Sequence, residues 1–310
     1  MRQMARTLTL SMVFASVVAA QGVVEATALT GRPLYRPEPA AAARQRMETQ
    51  LDEATRAVAQ TPSNADSIIW LGRRTAYLGR FREAIAIFTS GVRAHPADAR
   101  MYRHRGHRYL TTRQLDSAIA DFSTAYELTR GQPDQVEPDG QPNARNIPTS
   151  TLQGNIRYHL GLAYFLKGEF AKALPIYRAD FAASRGNADM TVATSHWLWM
   201  TLRRLGRDRE AEAVLAPITA SMDVIENGAY HRLLLLYKGE LTEAAALGSF
   251  GSDGSLENIT TAFGVANWHL VHGRTAQADA LLDRIVGGTS QWASFGYLAA
   301  EADVARRGGR

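Results

Sequence analysis

The sequence predicts an all-α chain: a solenoid-like stack of about six helix–turn–helix units with a capping helix at each end. Three observations carry this reading. Ala, Leu, Arg and Glu fill the periodic segments, and the alternating Val/Ile/Thr runs that make strands are few. Glycines recur at one offset, with Gly79, Gly168, Gly206, Gly239 and Gly273 each five residues before Ala84, Ala173, Ala211, Ala244 and Ala278. Ala118 joins the series with Arg113 in the glycine's place. Successive alanines then lie 34, 55, 38, 33 and 34 residues apart, the 55 being one 34-residue period plus an insertion of 21.

In chain order, the first element is a leader. Arg2 and Arg6 precede an apolar run from Leu8 to Ala20, and Val18-Ala19-Ala20 offers small residues for cleavage before Gln21. Residues 1–20 thus have the layout of a secretory signal peptide, with a second small-residue site at Ala26-Thr27-Ala28. The run of thirteen is short for a spanning helix, which needs roughly 20 residues. An exported protein, periplasmic or secreted, is expected, with an N-terminal membrane anchor as the alternative.

Residues 21–38, with Pro33 and Pro37, read as an extended linker. Residues 39–62 read as an N-terminal capping helix whose stripe is Met47, Leu51, Ala54 and Val58, closed by Pro62.

Two repeat units follow at 63–130. Leu71-Gly72 precedes Ala84, Phe88 and Pro96 in the first, and Tyr102, Gly106 and Tyr109 precede Ala118, Phe122 and Ala125 in the second. A third shows Leu160-Gly161, Tyr164, Ala173 and Tyr177. Gly72 and Ala84 lie twelve apart across a turn, so two antiparallel helices approach closely where both side chains are small. A glycine between them ends the first helix in the left-handed conformation.

These residues resemble the tetratricopeptide repeat family over residues 63 to 286. The resemblance is strong in the first three units and weaker in the last three, where Trp199, Arg232 and Ala266 replace the helix glycine. It implies a right-handed superhelix whose first helices line a concave groove. The insertion, 131–150, carries Pro133, Pro138, Pro142 and Pro148 and almost no apolar residues. It is expected to be a disordered or loosely packed excursion, with a lid over the groove as the alternative. Repeats three to six occupy 151–286. A C-terminal capping helix, marked by Trp292, Phe295, Leu298 and Ala302, spans 287–305, and 306–310 is a loose tail.

Composition bounds the function. The chain has 310 residues, a net charge of +5 and no cysteine. Disulfides, thiolate metal sites and a cysteine nucleophile are excluded, and a mildly basic balance suits acidic partners. No phosphate loop, nucleophile elbow or metalloprotease motif is present, so neither an enzyme nor a cofactor is expected. His104/His107 and His269/His272 are each three apart and lack a third ligand at metal-site spacing. Asn258-Ile-Thr260 is a formal glycosylation acceptor, and Trp70, Trp197, Trp199 and Trp268 are expected to pack inside first helices.

The remaining candidate is the groove. The resemblance places Arg73 and Tyr77 on it from the first unit, and Arg100, Arg103 and His107 from the second. Asn155, Tyr158, Leu162 and Phe165 follow from the third, then His196, Met200 and Arg203 from the fourth. The run Arg100-Met-Tyr-Arg-His-Arg-Gly-His-Arg-Tyr109 thereby splits into an inward stripe, packing residues and one misfit, Arg105, expected to extend its charge outward. The leading expectation is a protein-interaction scaffold of the cell envelope that takes an acidic or amphipathic peptide of a partner. The alternative is an anion- or nucleic-acid-binding module, although export argues against nucleic acid.

Overall fold

The computed structural model describes residues 22–248, 256–288 and 291–308. The leader and the last two residues of the tail lie outside them. Helix α1 (Ala41–Gln60) precedes the pairs α2 (Ala65–Tyr77)/α3 (Phe81–Ala94), α4 (Ala99–Thr111)/α5 (Leu115–Thr129) and α6 (Leu152–Leu166)/α7 (Phe170–Ala183). Then come α8 (Ala188–Arg204)/α9 (Asp208–Val214), α10 (Gly228–Tyr237)/α11 (Glu243–Leu247), α12 (Leu256–Val271)/α13 (Thr275–Gly287) and the single α14 (Phe295–Gly308). The helices pack on their neighbours in sequence, as an α-solenoid requires, except that α10 reaches past the short α9 to pack on α8.

Local chemistry sets the helix ends. Asn64, Asp98, Thr151 and Asn187 each accept a hydrogen bond from a first-turn N–H, opening α2, α4, α6 and α8. The turns inside the pairs close with Gly79, Gly168, Gly206, Gly239 and Gly273 at φ between 70° and 77°. Arg113 adopts the same conformation, φ 64°, where only glycine is unstrained.

The pairs close over glycine. A Cβ on Gly72 would meet the Phe88 ring at 2.4 Å, one on Gly161 the Tyr177 ring at 2.6 Å, and one on Gly106 the Phe122 ring at 3.0 Å. Phe88, Phe122 and Tyr177 are accordingly almost fully buried. The α1 stripe turns inward as expected, with Ala54 buried and Met47, Leu51 and Val58 half-buried.

Three segments differ from the sequence expectation. The stretch read as a linker forms an antiparallel hairpin, β1 (Val24–Thr27) and β2 (Pro33–Tyr35), and the second small-residue site lies at the end of β1. Ala26, Ala28 and Leu34 are buried, and Glu25 takes the Arg36 guanidinium at 2.7 Å and the Arg82 N–H at 3.0 Å. Alternating burial over so short a stretch carries little periodic signal beside that of the prolines.

The second difference is the C-terminal helix. Instead of capping only the end of the stack, α14 folds against α6, α12 and α13 on the concave side. Glu301 and Arg113 form a buried pair at 2.9 Å, and Arg113 also donates to the Trp292 carbonyl at 2.8 Å. Asp303 receives Arg204, and the Leu29 N–H donates to Glu301 at 2.8 Å. Trp292 Nε1 donates to the Tyr35 carbonyl at 2.8 Å, so the amino-terminal hairpin and the last helix close the superhelix on itself.

The third is the 131–150 insertion, which is packed rather than loose. Leu152 N donates to the Gln135 carbonyl at 2.9 Å and Val136 bridges to Thr151, folding the loop back along the start of α6. Its far end reaches the loop before α10 and the cap of α8: Arg145 meets Asp223 at 2.7 Å, Thr149 donates to Glu226 at 2.6 Å, and Asn187 donates to the Thr149 carbonyl at 2.9 Å. Backbone and amide hydrogen bonds hold it, which a search for apolar residues does not register.

Candidate functional site: a roofed cationic cavity and its mouth

Because α14 fills one half of the concave side and the insertion crosses the other, the expected groove residues separate into two groups. Leu162, Phe165 and Met200 are fully buried core. Tyr158 is buried in a hydrogen-bond chain, with its hydroxyl 2.9 Å from that of Tyr230 and accepting from Trp197 Nε1 at 2.7 Å. His196 is stacked on Tyr230 at 4.6 Å, and burial pushes its imidazole down to about 3. Arg203 lies over the Trp199 ring at 5.5 Å, with Asp208 and Glu212 nearby. None of these six forms an open groove, because α14 and the neighbouring helices α10 and α12 pack over this part of the inner face.

The second group stays together. Arg73 and Tyr77 on α2, and Arg103, His104, His107 and Arg108 on α4, line a cavity of about 110 Å³ with Ala76, Phe88 and Glu137. The 3.6-residue period puts Arg73 and Tyr77 one turn apart, and likewise Arg103 and His107, so both pairs face inward. Loop 131–150 is the roof. Arg73 donates to the Pro138 carbonyl at 2.8 Å, Arg74 to the Gly140 carbonyl at 2.8 Å, and a Cβ on Gly140 would fall 1.9 Å from the Tyr77 hydroxyl. Asn155 fastens the roof through Glu137 and Ser150, both at 3.0 Å.

Glu137 brings the one carboxylate into this space, with Oε2 2.9 Å from Arg103 Nε. The contact is an ion pair without hydrogen-bond alignment, since that Nε has no bonded partner. Burial lowers the Arg103 guanidinium against the pull of Glu137. Burial, then Arg103, push Arg108 down to about 10, so it stays charged at neutral pH. Among the described residues neither Arg73 nor Arg108 pairs with a carboxylate; Arg108 lies 5.6 Å from the Phe81 ring and Arg73 4.5 Å from that of Trp70. Three guanidinium charges therefore face one carboxylate.

The histidines here are neutral. Burial is the largest influence on His104, His107 and His159, and neighbouring arginines lower all three further. Arg103 Nη1 lies 3.3 Å from His104 Nδ1 and 3.4 Å from His107 Nδ1. A guanidinium only donates, so both Nδ1 atoms accept and the protons sit on Nε2. His107 packs on His159 at 4.6 Å and on Phe295 at 5.4 Å.

His107 also lines a second, open cavity of about 680 Å³, where the starts of α10 and α14 converge with α12. Its walls mix Ala229, Tyr230, Leu256 and Phe295 with Asn227, Thr260 and Ser294. Sequence reasoning missed this mouth and the roof's Glu137. The mouth depends on α10, α12 and α14 meeting His107 of α4, which lies far from them in the chain, and Glu137 depends on the insertion folding back over α4.

The other sequence candidates have ordinary partners. Arg100 sits on the rim between Asp66 and Asp98, each at 2.6 Å, which hold it firmly protonated. Arg105 does not extend to water but forks onto Asp121 with two bonds of 2.7 Å. His269 meets Glu243 at 3.0 Å and His272 Nδ1 lies 2.7 Å from the Trp268 carbonyl. Asn258 is buried, which leaves its glycosylation motif without an exposed acceptor. Trp197 and Trp199 are core, as expected; Trp70 and Trp268 are partly exposed under Arg73 and Arg274.

No family model matches the chain. Over 86 residues, 28% of this chain, it is 31% identical to human tetratricopeptide repeat protein 13, and the match spans only 10% of that protein. Among solved structures it is similar to YrrB, described as a TPR protein with an unusual peptide-binding site, at 14% identity and a TM-score of 0.42, covering 73% of this chain and 96% of that one. It is likewise similar to a putative kinesin light chain of Podosopora anserina with nearly identical TPR-like repeats, at 14% identity and a TM-score of 0.45, covering 79% and 98%. The glycine-over-aromatic pairs and left-handed turns described above carry the repeat assignment independently of these likenesses.

Proposed function

We propose that this solenoid of tetratricopeptide-type repeats is a non-enzymatic protein-binding scaffold that works outside the cytoplasm. Its partner segment enters the mouth between α10, α12 and α14 and points an acidic end at His107. The observation that carries the reading is that His107 lines both the open mouth and the cationic cavity behind it. The mouth's apolar and polar walls suit an amphipathic segment, and the cavity's excess positive charge suits an acidic end. A nucleic-acid strand fits less well, because Arg100 and Arg105 of the basic run on α4, and Arg145 on the roof, are each paired with a carboxylate.

The test uses fluorescently labelled amphipathic peptides that differ only in an acidic or a basic end, titrated against the full chain. The acidic peptide is expected to bind at least about tenfold more tightly. Ala229→Trp, which fills the mouth, is expected to abolish binding without moving the melting temperature. Equal binding of the basic peptide, or full binding by Ala229→Trp, overturns the reading.

A further inference from the structure

We propose that the roofed cavity is a binding site for a tetrahedral oxyanion carrying two negative charges, the phosphate and sulfate class. The proposal deepens the reading above by naming what the inner end of the passage holds, and it rests on that reading only for the route of entry.

Charge is the first argument. Arg73, Arg103 and Arg108 converge on about 110 Å³ of space, and Glu137 offsets one of the three. The histidines add no charge, for the reasons given above. Two guanidinium groups without a carboxylate partner in this partly buried space repel one another until an anion joins them. A monoanion leaves one of them unmatched, whereas a dianion neutralises the cavity.

Shape is the second. The guanidinium groups come from two helices: Arg73 from α2, and Arg103 and Arg108 from α4 more than a turn apart. A planar carboxylate matches a single fork, while four oxygens in a tetrahedron accept from donors arriving from several directions. The Tyr77 hydroxyl and the Nε2–H groups of His104 and His107 are further donors on the same wall. A hollow of this size admits one small ion with its waters.

The roof supplies the third. Glu137 stands in for part of the ligand, since its carboxylate takes the place beside Arg103. The carbonyls of Pro138 and Gly140 partly satisfy Arg73 and Arg74 in the same way. Glu137 thus stabilises the empty cavity and competes with an incoming anion.

The experiment is calorimetric titration of the full chain at pH 8, at constant ionic strength set with chloride, using sulfate, inorganic phosphate, acetate and nitrate. Sulfate and phosphate are expected to bind saturably at one site, with acetate and nitrate at least about tenfold weaker. Arg108→Gln is expected to weaken both dianions by about tenfold to a hundredfold. Glu137→Gln is expected to tighten them several-fold while lowering the melting temperature of the anion-free protein, a gain that misfolding does not produce. O-phosphoserine separates the sources: affinity matching inorganic phosphate assigns the site to a phosphoryl group on a carrier, and loss of affinity assigns it to the free ion. Absence of saturable binding by both the folded parent and Glu137→Gln overturns the proposal. So does acetate binding equal to sulfate, or unchanged affinity in Arg108→Gln. These titrations contain no partner, so their failure leaves the peptide result at the mouth standing, and the reverse also holds.

Discussion

The two halves of this solenoid treat the same inner face in opposite ways. In units one and two the concave side is cationic, stays hollow and is crossed by a loop whose carbonyls meet the arginines. From unit three onward it is aromatic and aliphatic, and the chain's own last helix lies against it, with Phe295 close to His107, Tyr158 and His159. The difference follows from desolvation. Laying a helix over Tyr158, Leu162 and Phe165 removes apolar surface from water, a gain of roughly 25 cal/mol per Å². Laying one over Arg73, Arg103 and Arg108 strands charges unless carboxylates or carbonyls arrive with it.

The strongest way to break this contrast is to release α14. Glu301 is almost fully buried, holding Arg113 and the Leu29 N–H at once. Glu301→Ala leaves an unpaired buried guanidinium, and a loss of about 3–5 kcal/mol in unfolding free energy is expected. Arg145→Ala, which removes an exposed pair on the roof's far end, is expected to leave the denaturation midpoint in place. Chemical denaturation of both variants checks the ranking, and a small effect at Glu301 removes the idea that α14 is pinned by it.

A second comparison sharpens the first at the level of single units. In the first three, glycine on the first helix makes room for an aromatic from the second. In the fourth, Trp199 occupies the glycine's place and stacks on Tyr237 of the next unit, centroids 3.8 Å apart, while the second helix α9 is only seven residues long. Gly72→Ala and Gly161→Ala are expected to cost about 1–3 kcal/mol by overpacking. Gly206→Ala meets nothing within 4 Å and strains only a backbone at φ 70°, so about 1 kcal/mol is expected. Thermal melts that show the turn glycine as the more sensitive would contradict the packing account.

These contrasts also show what the sequence could disclose. The helices, their turns and the glycine-over-aromatic pairs repeat along the chain, so spacing alone exposes them. Helical period put Arg103 and His107 on one stripe, and the family resemblance put that stripe and Arg73 on the inner side. The burial of Tyr158, Leu162, Phe165, His196 and Met200 did not, because superhelical curvature is set by many small inter-unit rotations that no local pattern records. Arg113 was the available clue. An arginine in a turn otherwise held by glycine accepts backbone strain, and here its side chain reaches α14, 188 residues away. Glu137 gave no such signal, being one acidic residue in a proline-rich stretch.

The smallest expected effect separates the halves electrically. His196, in the apolar half, is lowered to about 3 by burial alone. His104 and His107, in the cationic half, and His159, which packs on His107 at the boundary, are lowered by burial together with arginine charge. Each is a base whose folded value lies below its unfolded one. The stability that each contributes is therefore complete above about pH 6.5 and lost as the pH falls through that value toward the folded one. Sulfate stays doubly charged over this window. Seated among Arg73, Arg103, Arg108 and Glu137, it counteracts the arginine repulsion and favours imidazolium nearby. Imidazole NMR titrations with and without sulfate are expected to show upward shifts for His104, His107 and the neighbouring His159, and none for His196. An equal shift at His196 would mean that one field spans both halves, and that the packed aromatic layer between them does not insulate the cavity.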